Sequence, residues 1–184
     1  MLETQKPSEQ LIIRDVDFSD IPDGVNAYLD SELKAWSESA TSGQLQHASY
    51  GGVDTYLMPI NVETSGTTHD EEDVVFLIDT DEEGKKMGTG ILAMGIQEGS
   101  PLYGKPYVGY TGTETGHTRK GLGLRRLRLM NQLALERHNQ VLYSDFGEDI
   151  SDEAIKVWEK LVTSGDAEQV EDQDHYRFRF KKLH

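Results

Sequence analysis

The stretch Thr111-Gly112-Thr113-Glu114-Thr115-Gly116-His117-Thr118-Arg119-Lys120-Gly121-Leu122-Gly123 decides how this chain is read. Before it stands Tyr107-Val108-Gly109-Tyr110, an extended run. After it, Leu127, Met130 and Ala134, with Leu129 and Leu133 beside them, form a stripe that predicts a helix to about His138. A strand that ends in a glycine loop and opens a helix exposes unpaired N–H groups and the positive end of the helix dipole. Gly121 and Gly123 let a ligand approach the backbone without Cβ atoms in the way, and phosphate is the natural guest. No Gly-Lys-Ser/Thr is present, so this is not a Walker loop, and the spacing is not that of a dinucleotide fingerprint. The plainer reading is a tight strand-to-helix turn.

Upstream, Val74-Val75-Phe76-Leu77-Ile78 predicts a strand, Asp79 to Lys86 a turn around Gly84, and Gly88 to Ile96 the returning strand. Val53 to Val62 predicts another strand, made irregular by Pro59. Leu11 to Val16 predicts a short strand. Ser19 or Asp20 then caps a helix that carries Val25, Tyr28, Leu29, Leu33 and Trp36 on one face. Residues 37–52 and 63–73 read as polar loops. Downstream, Gln140 to Ser144 predicts a strand. Asp149 caps a helix with Ala154, Val157, Trp158, Leu161 and Val162 as its apolar stripe, and Gly165 ends it. Trp158 on that stripe reads as core. Tyr176, Phe178 and Phe180 alternate with His175, Arg177 and Arg179 in a half-buried terminal strand. The expectation is a loose arm over residues 1–10 and a single mixed α/β domain over 11–184.

The 184 residues contain no cysteine, which excludes disulfides, Cys-based zinc sites and thiol nucleophiles. The net charge is −15, which argues against unaided binding to nucleic acid or anionic membrane. No apolar run approaches a membrane span and no signal-peptide pattern opens the chain, so a cytoplasmic protein is expected. The charge is uneven. Residues 1–110 carry a net −14 and residues 111–184 a net −1. Arg119, Lys120, Arg125, Arg126 and Arg128 make a basic stretch inside an acidic protein, which points to a held anion or to a solvated helix face. The histidines share no ligand spacing, and the acidic runs Asp70 to Asp73 and Asp81 to Glu83 do not follow a calcium loop, so no metal is expected. There is no GxSxG elbow.

The glycine loop with its long helix resembles motif A of the GNAT superfamily of acyl-CoA-dependent N-acyltransferases. Further on, Val141-Leu142-Tyr143 and then Ala154-Ile155-Lys156-Val157-Trp158-Glu159-Lys160-Leu161 and Gly165 are similar to a second stretch of that family. Residues 107–165 carry the likeness. Ser144-Asp145, Ser151 and Val157-Trp158-Glu159-Lys160-Leu161 also resemble bacteriophage-encoded members. The resemblance implies a central, mostly antiparallel sheet flanked by helices and splayed near Thr111 to Glu114, with acetyl-CoA in the split. It implies that Thr118, Arg119, Lys120, Gly121, Leu122 and Gly123 bind the pyrophosphate. A backbone N–H near Thr111 or Thr113 would polarise the thioester. Three positions depart from the family. Thr118 stands where it has Arg or Gln, Ser151 where it has Asn, and Trp158 where it often has a tyrosine acid.

Glu114 is the candidate general base and Tyr143 the candidate acid, with Tyr110 nearby. His117 as base or phosphate ligand and Asp145 at a strand end are weaker candidates than ordinary loop residues. The function implied is transfer of an acetyl group to an amine, on a cationic small molecule or a protein. The rival is a non-catalytic protein of the same fold, a phage virion or assembly component or a host inhibitor, that works through protein contacts. An acidic DNA mimic is the third reading. An oligomer is compatible with each. If the chain is phage-encoded, it belongs in the host cytoplasm or the virion.

Overall fold

The computed structural model describes residues 11–36, 40–50, 53–62, 71–96, 98–118, 121–145, 150–170 and 177–182. Its elements are β1 (Ile12–Asp15), α1 (Asp23–Trp36), β2 (Ala40–Ser42), β3 (Gln46–Tyr50), β4 (Val53–Val62), β5 (Glu71–Thr80), β6 (Lys86–Gly95), β7 (Pro106–Thr113), α2 (Leu122–His138), α3 (Asp152–Thr163), β8 (Ala167–Gln169) and β9 (Phe178–Phe180). The main sheet runs β1-β3-β4-β5-β6-β7, every neighbouring pair antiparallel, with β2 added against β4. The mixed α/β class and the antiparallel sheet are as expected. No helix among the described residues is long and apolar enough to cross a membrane.

The continuous run Val74 to Ile78 is explained by cover on both faces. Val75 and Leu77 join Leu57, Leu92 and Val108 beneath Leu127 and Met130 of α2. Val74, Phe76 and Ile78 join Met58, Ile60 and Ala93 beneath Val25 and Leu29 of α1. Trp158 of α3 is 2 % exposed and stacks on Phe178 at 5.7 Å, so it is core, as its stripe indicates.

Several expectations are corrected. Residues 18–20 form a 3-10 turn, and α1 starts at Asp23, after Pro22, rather than from a cap at Ser19 or Asp20. The expected loop 37–52 contains β2 and β3. Strand β5 runs on to Thr80, so the turn is confined to Asp81 to Lys85. Ser151 caps α3, its hydroxyl accepting from the Ala154 N–H at 3.3 Å. Asp149, the expected cap, lies outside the described residues, as do Tyr176 and His175. Residues 140–144 form no full strand, only single bridges at Tyr143, and β8 was not expected.

Candidate functional site

Strand β7 is tied to β6 along its whole length, but on its other side it has a partner among the described residues only at its start. The Tyr143 N–H donates to the Pro106 carbonyl at 3.0 Å, and the Val108 N–H donates to the Tyr143 carbonyl at 3.1 Å. This is a parallel bridge between Tyr107 and Tyr143. Past Val108 and Tyr143 the described residues show no further backbone bond between the two segments, and the next residue, Ser144, bonds on the other side. Its N–H donates to the Phe178 carbonyl at 2.9 Å, and its hydroxyl accepts from the Arg177 and Phe178 N–H groups. Residues 141–144 therefore lie between β7, bonded through Tyr143, and β9, bonded through Leu142 and Ser144.

The register of β7 against β6 also shifts here. Val108 faces Leu92 and Tyr110 faces Ile91, which leaves Gly109 as the extra residue of a bulge. Bulges re-aim a strand and often adjoin sites. Among the described residues, the opening on this side of β7 thus begins just past Val108. At its far end the Glu114 N–H donates to the Met87 carbonyl at 2.9 Å. Antiparallel ladders alternate their bonding direction. Tyr110, Gly112 and Glu114 therefore aim their N–H groups at β6, and Thr111 and Thr113 aim theirs into the opening.

Helix α2 begins beside this opening. Gly121 is its N-cap at φ +77°, a left-handed conformation that favours glycine, and no side chain among the described residues caps the helix. The first helical bond runs from the Arg125 N–H to the Gly121 carbonyl at 3.0 Å. The N–H groups of Leu122, Gly123 and Leu124 precede that bond and have no acceptor within the helix. Gly121 is exposed and Leu122 buried, and a Cβ on Gly123 would sit 3.5 Å from Val157 Cγ2. Thr118 is exposed. Arg119 and Lys120 lie outside the described residues.

The rest of the basic stretch does not face the loop. Asp79 is completely buried, and Arg125 pairs with its Oδ1. The Arg126 Nε donates to Asp79 Oδ2 at 2.8 Å, and Arg126 Nη1 donates to Thr111 Oγ1 at 2.8 Å. Arg125 also donates to the Tyr50 carbonyl and to Thr55 Oγ1. Burial lowers the pKa of Arg125, and Asp79 opposes that shift. Arg128 pairs with Asp166 at 2.5 Å. Three of the five expected anion-binding cations are thus paired with the chain's own acids, Arg125 and Arg126 in the interior and Arg128 at the surface.

Arg126 reaches Asp79 because β6 has glycine at positions 88 and 90. A Cβ on Gly90 would lie 2.7 Å from Arg126 Cδ, and one on Gly88 would lie 2.7 Å from the Gly112 carbonyl oxygen.

The two expected catalytic residues are far apart. Glu114 stands past the open end of β7, paired with Lys86 Nζ at 2.8 Å. Tyr143 stands at the closed end, opposite Tyr107. Seven residues of strand separate the two positions, about 20 Å at the usual rise. They cannot serve one reacting atom. The Tyr143 side chain bonds Arg179 and lies under the Lys105 ammonium.

The buried Nδ1 of His117 has no hydrogen-bond partner among the described residues. Asp145 follows Ser144 at the mouth of the divergence and is half-buried. Sequence reasoning missed Asp79, Lys86 and Tyr28. The signals for Asp79 were an acid closing an apolar run and the Gly88-Thr89-Gly90 spacing that follows.

A cleft of about 420 Å³ lies at the opposite edge of the sheet, lined by Arg14, Asp15, Asp17, Asp20, His47 and Tyr56. It is separated from β7 by the intervening strands. No group of His, Asp and Glu among the described residues is placed to hold a metal ion. No protein-family model, curated protein or solved structure matches the chain.

Proposed function

We propose that this protein is an N-acyltransferase of the GNAT type, moving an acetyl group from acetyl-CoA to an amine. The observation that carries the reading is the opening between β7 and residues 141–145, with an uncapped helix terminus beside it. The donor set fits the group. Leu122, Gly123 and Leu124 offer backbone N–H groups at the positive end of a 17-residue helix, which suits a pyrophosphate. Thr111 and Thr113 direct N–H groups into the opening.

Acetyl-CoA supplies an activated acyl group on a good leaving sulfur. Thr111 or Thr113 donates its N–H to the thioester carbonyl oxygen and stabilises negative charge as it develops there. Glu114, beside the open end of β7, takes a proton from the attacking amine. No tyrosine acid is needed, because a thiol with a pKa of about 8.5 leaves readily as thiolate at neutral pH. This removes the need for Tyr143, and it makes Trp158 a packing residue and nothing more.

One observation favours the rival reading, a non-catalytic protein of this fold that acts through protein contacts. Arg125, Arg126 and Arg128 are engaged internally, so the loop's anion affinity falls to backbone N–H groups, Arg119 and Lys120. Calorimetry with acetyl-CoA and with free CoA separates the two. The acyltransferase reading expects micromolar binding that Gly123→Trp abolishes. No binding at millimolar CoA supports the rival.

A further inference from the structure

Lys86 opens β6 directly beside the end of β7. Its ammonium is held 2.8 Å from Glu114 Oε1 and 4.4 Å from the centre of the Tyr28 ring. The Tyr28 hydroxyl bonds Thr89 and Glu32, which fixes the ring, and Tyr110 stands beside it with its hydroxyl folded back over Gly112. The Lys86 and Glu114 side chains are 31 % and 47 % exposed. A pair so open to water adds little to folding stability, so stability does not account for its placement. What the arrangement does is hold a primary amine against the candidate base, at the open end of the strand whose N–H groups face the split.

We propose that Lys86 is itself an acyl acceptor, and that the protein acetylates it in the folded state. The inference rests on the acyltransferase reading above. Glu114 takes one proton from the Lys86 ammonium. The freed nitrogen lone pair forms an N–C bond to the acyl carbon, and the C–S bond breaks with its electron pair leaving on sulfur. The second nitrogen proton, lost as the amide forms, goes to the thiolate. Tethering replaces a bimolecular encounter by a local one, so Lys86 outpaces the other lysines. Acetylation removes the ammonium charge, and with it the Glu114 pair and the Tyr28 contact. Glu114 then passes its proton to water, and one turnover thereby frees its carboxylate for an external amine.

The test is peptide mapping by mass spectrometry of the whole protein after incubation with acetyl-CoA, with calorimetry of CoA binding on the same sample. Acetylation of Lys86 at least about tenfold faster than of Lys156 and Lys181 is expected. Glu114→Gln, an exposed change that leaves the fold intact, lowers the Lys86 rate by about 100-fold, and Gly123→Trp removes the preference. If CoA binds and Lys86 reacts no faster than Lys156 and Lys181, or if Gly123→Trp leaves its rate unchanged, Lys86 is not an acceptor and the acyltransferase reading stands without it. If CoA does not bind at all, the acyltransferase reading fails, and this one fails with it.

Discussion

Arg126 and Asp79 form an ion pair with both side chains at 0 % exposure, the Arg126 Nε donating to Asp79 Oδ2 at 2.8 Å. The pair joins three elements. Asp79 lies on β5, Arg126 on α2, and the same guanidinium holds Thr111 on β7. Arg125 adds a second cation to the one carboxylate. Removing Asp79 leaves two buried guanidiniums without an acid. Asp79→Asn is therefore expected to destabilise the fold by about 3–5 kcal/mol, read from the midpoint of urea unfolding. A loss below about 1 kcal/mol would mean that the cluster is hydrated in solution.

The glycines of β6 give a sharper comparison. A Cβ on Gly88 meets the Arg126 side chain and the backbone carbonyl of Gly112, and backbone cannot swing aside. Gly88→Ala should cost about 1–3 kcal/mol. A Cβ on Gly24, inside α1, meets nothing within 4 Å, so Gly24→Ala should stabilise by about 0.5–1 kcal/mol. Equal effects of the two changes in thermal unfolding would contradict the packing of Arg126 across β6.

These partners show where sequence reading succeeds and where it stops. The α2 stripe was legible because Leu127, Met130 and Ala134 repeat at helical spacing and are all buried. Strand β3 was not, because Gln46-His47-Ala48-Ser49-Tyr50 looks polar although His47, Ala48 and Tyr50 are buried. The glycine loop was legible as a strand-to-helix junction. The fate of its cations was not, since Arg125 and Arg126 meet an acid 46 and 47 residues away. Glu114 was legible as an acid at the end of a strand, but its pairing with Lys86 depends on the register of β6 against β7, which no local pattern contains.

Trp158 packs flat against Phe178 and edge-on to Phe180. Trp158→Ala should cost about 3–5 kcal/mol. Trp158→Tyr should lose stability without raising acetyl transfer, because its hydroxyl would be sealed in the core. A gain in turnover with Trp158→Tyr would restore an acid role to that position.

His138 closes α2, beside Arg137 and 3.3 Å from Asp73. Burial lowers its pKa below the ordinary 6.5, with Asp73 opposing the shift and Arg137 adding to it. The folded ring therefore binds its proton less tightly than the unfolded one. In the window beneath pH 6.5 the unfolded chain holds more protons, so this group's contribution to stability falls as the pH falls. Thermal unfolding of wild type and His138→Gln at pH 8 and pH 5 checks the sign. The wild type should lose more between the two than the variant. A smaller loss in the wild type would show that Asp73 dominates.

The most direct measurement is the amide spectrum of the labelled protein during titration with acetyl-CoA. Shifts are expected to concentrate at Thr111, Thr113 and Gly121 to Leu124, the N–H groups that face the opening and start α2. No shift at millimolar acetyl-CoA, or shifts confined to the distant cleft around His47 and Tyr56, would contradict the proposed function.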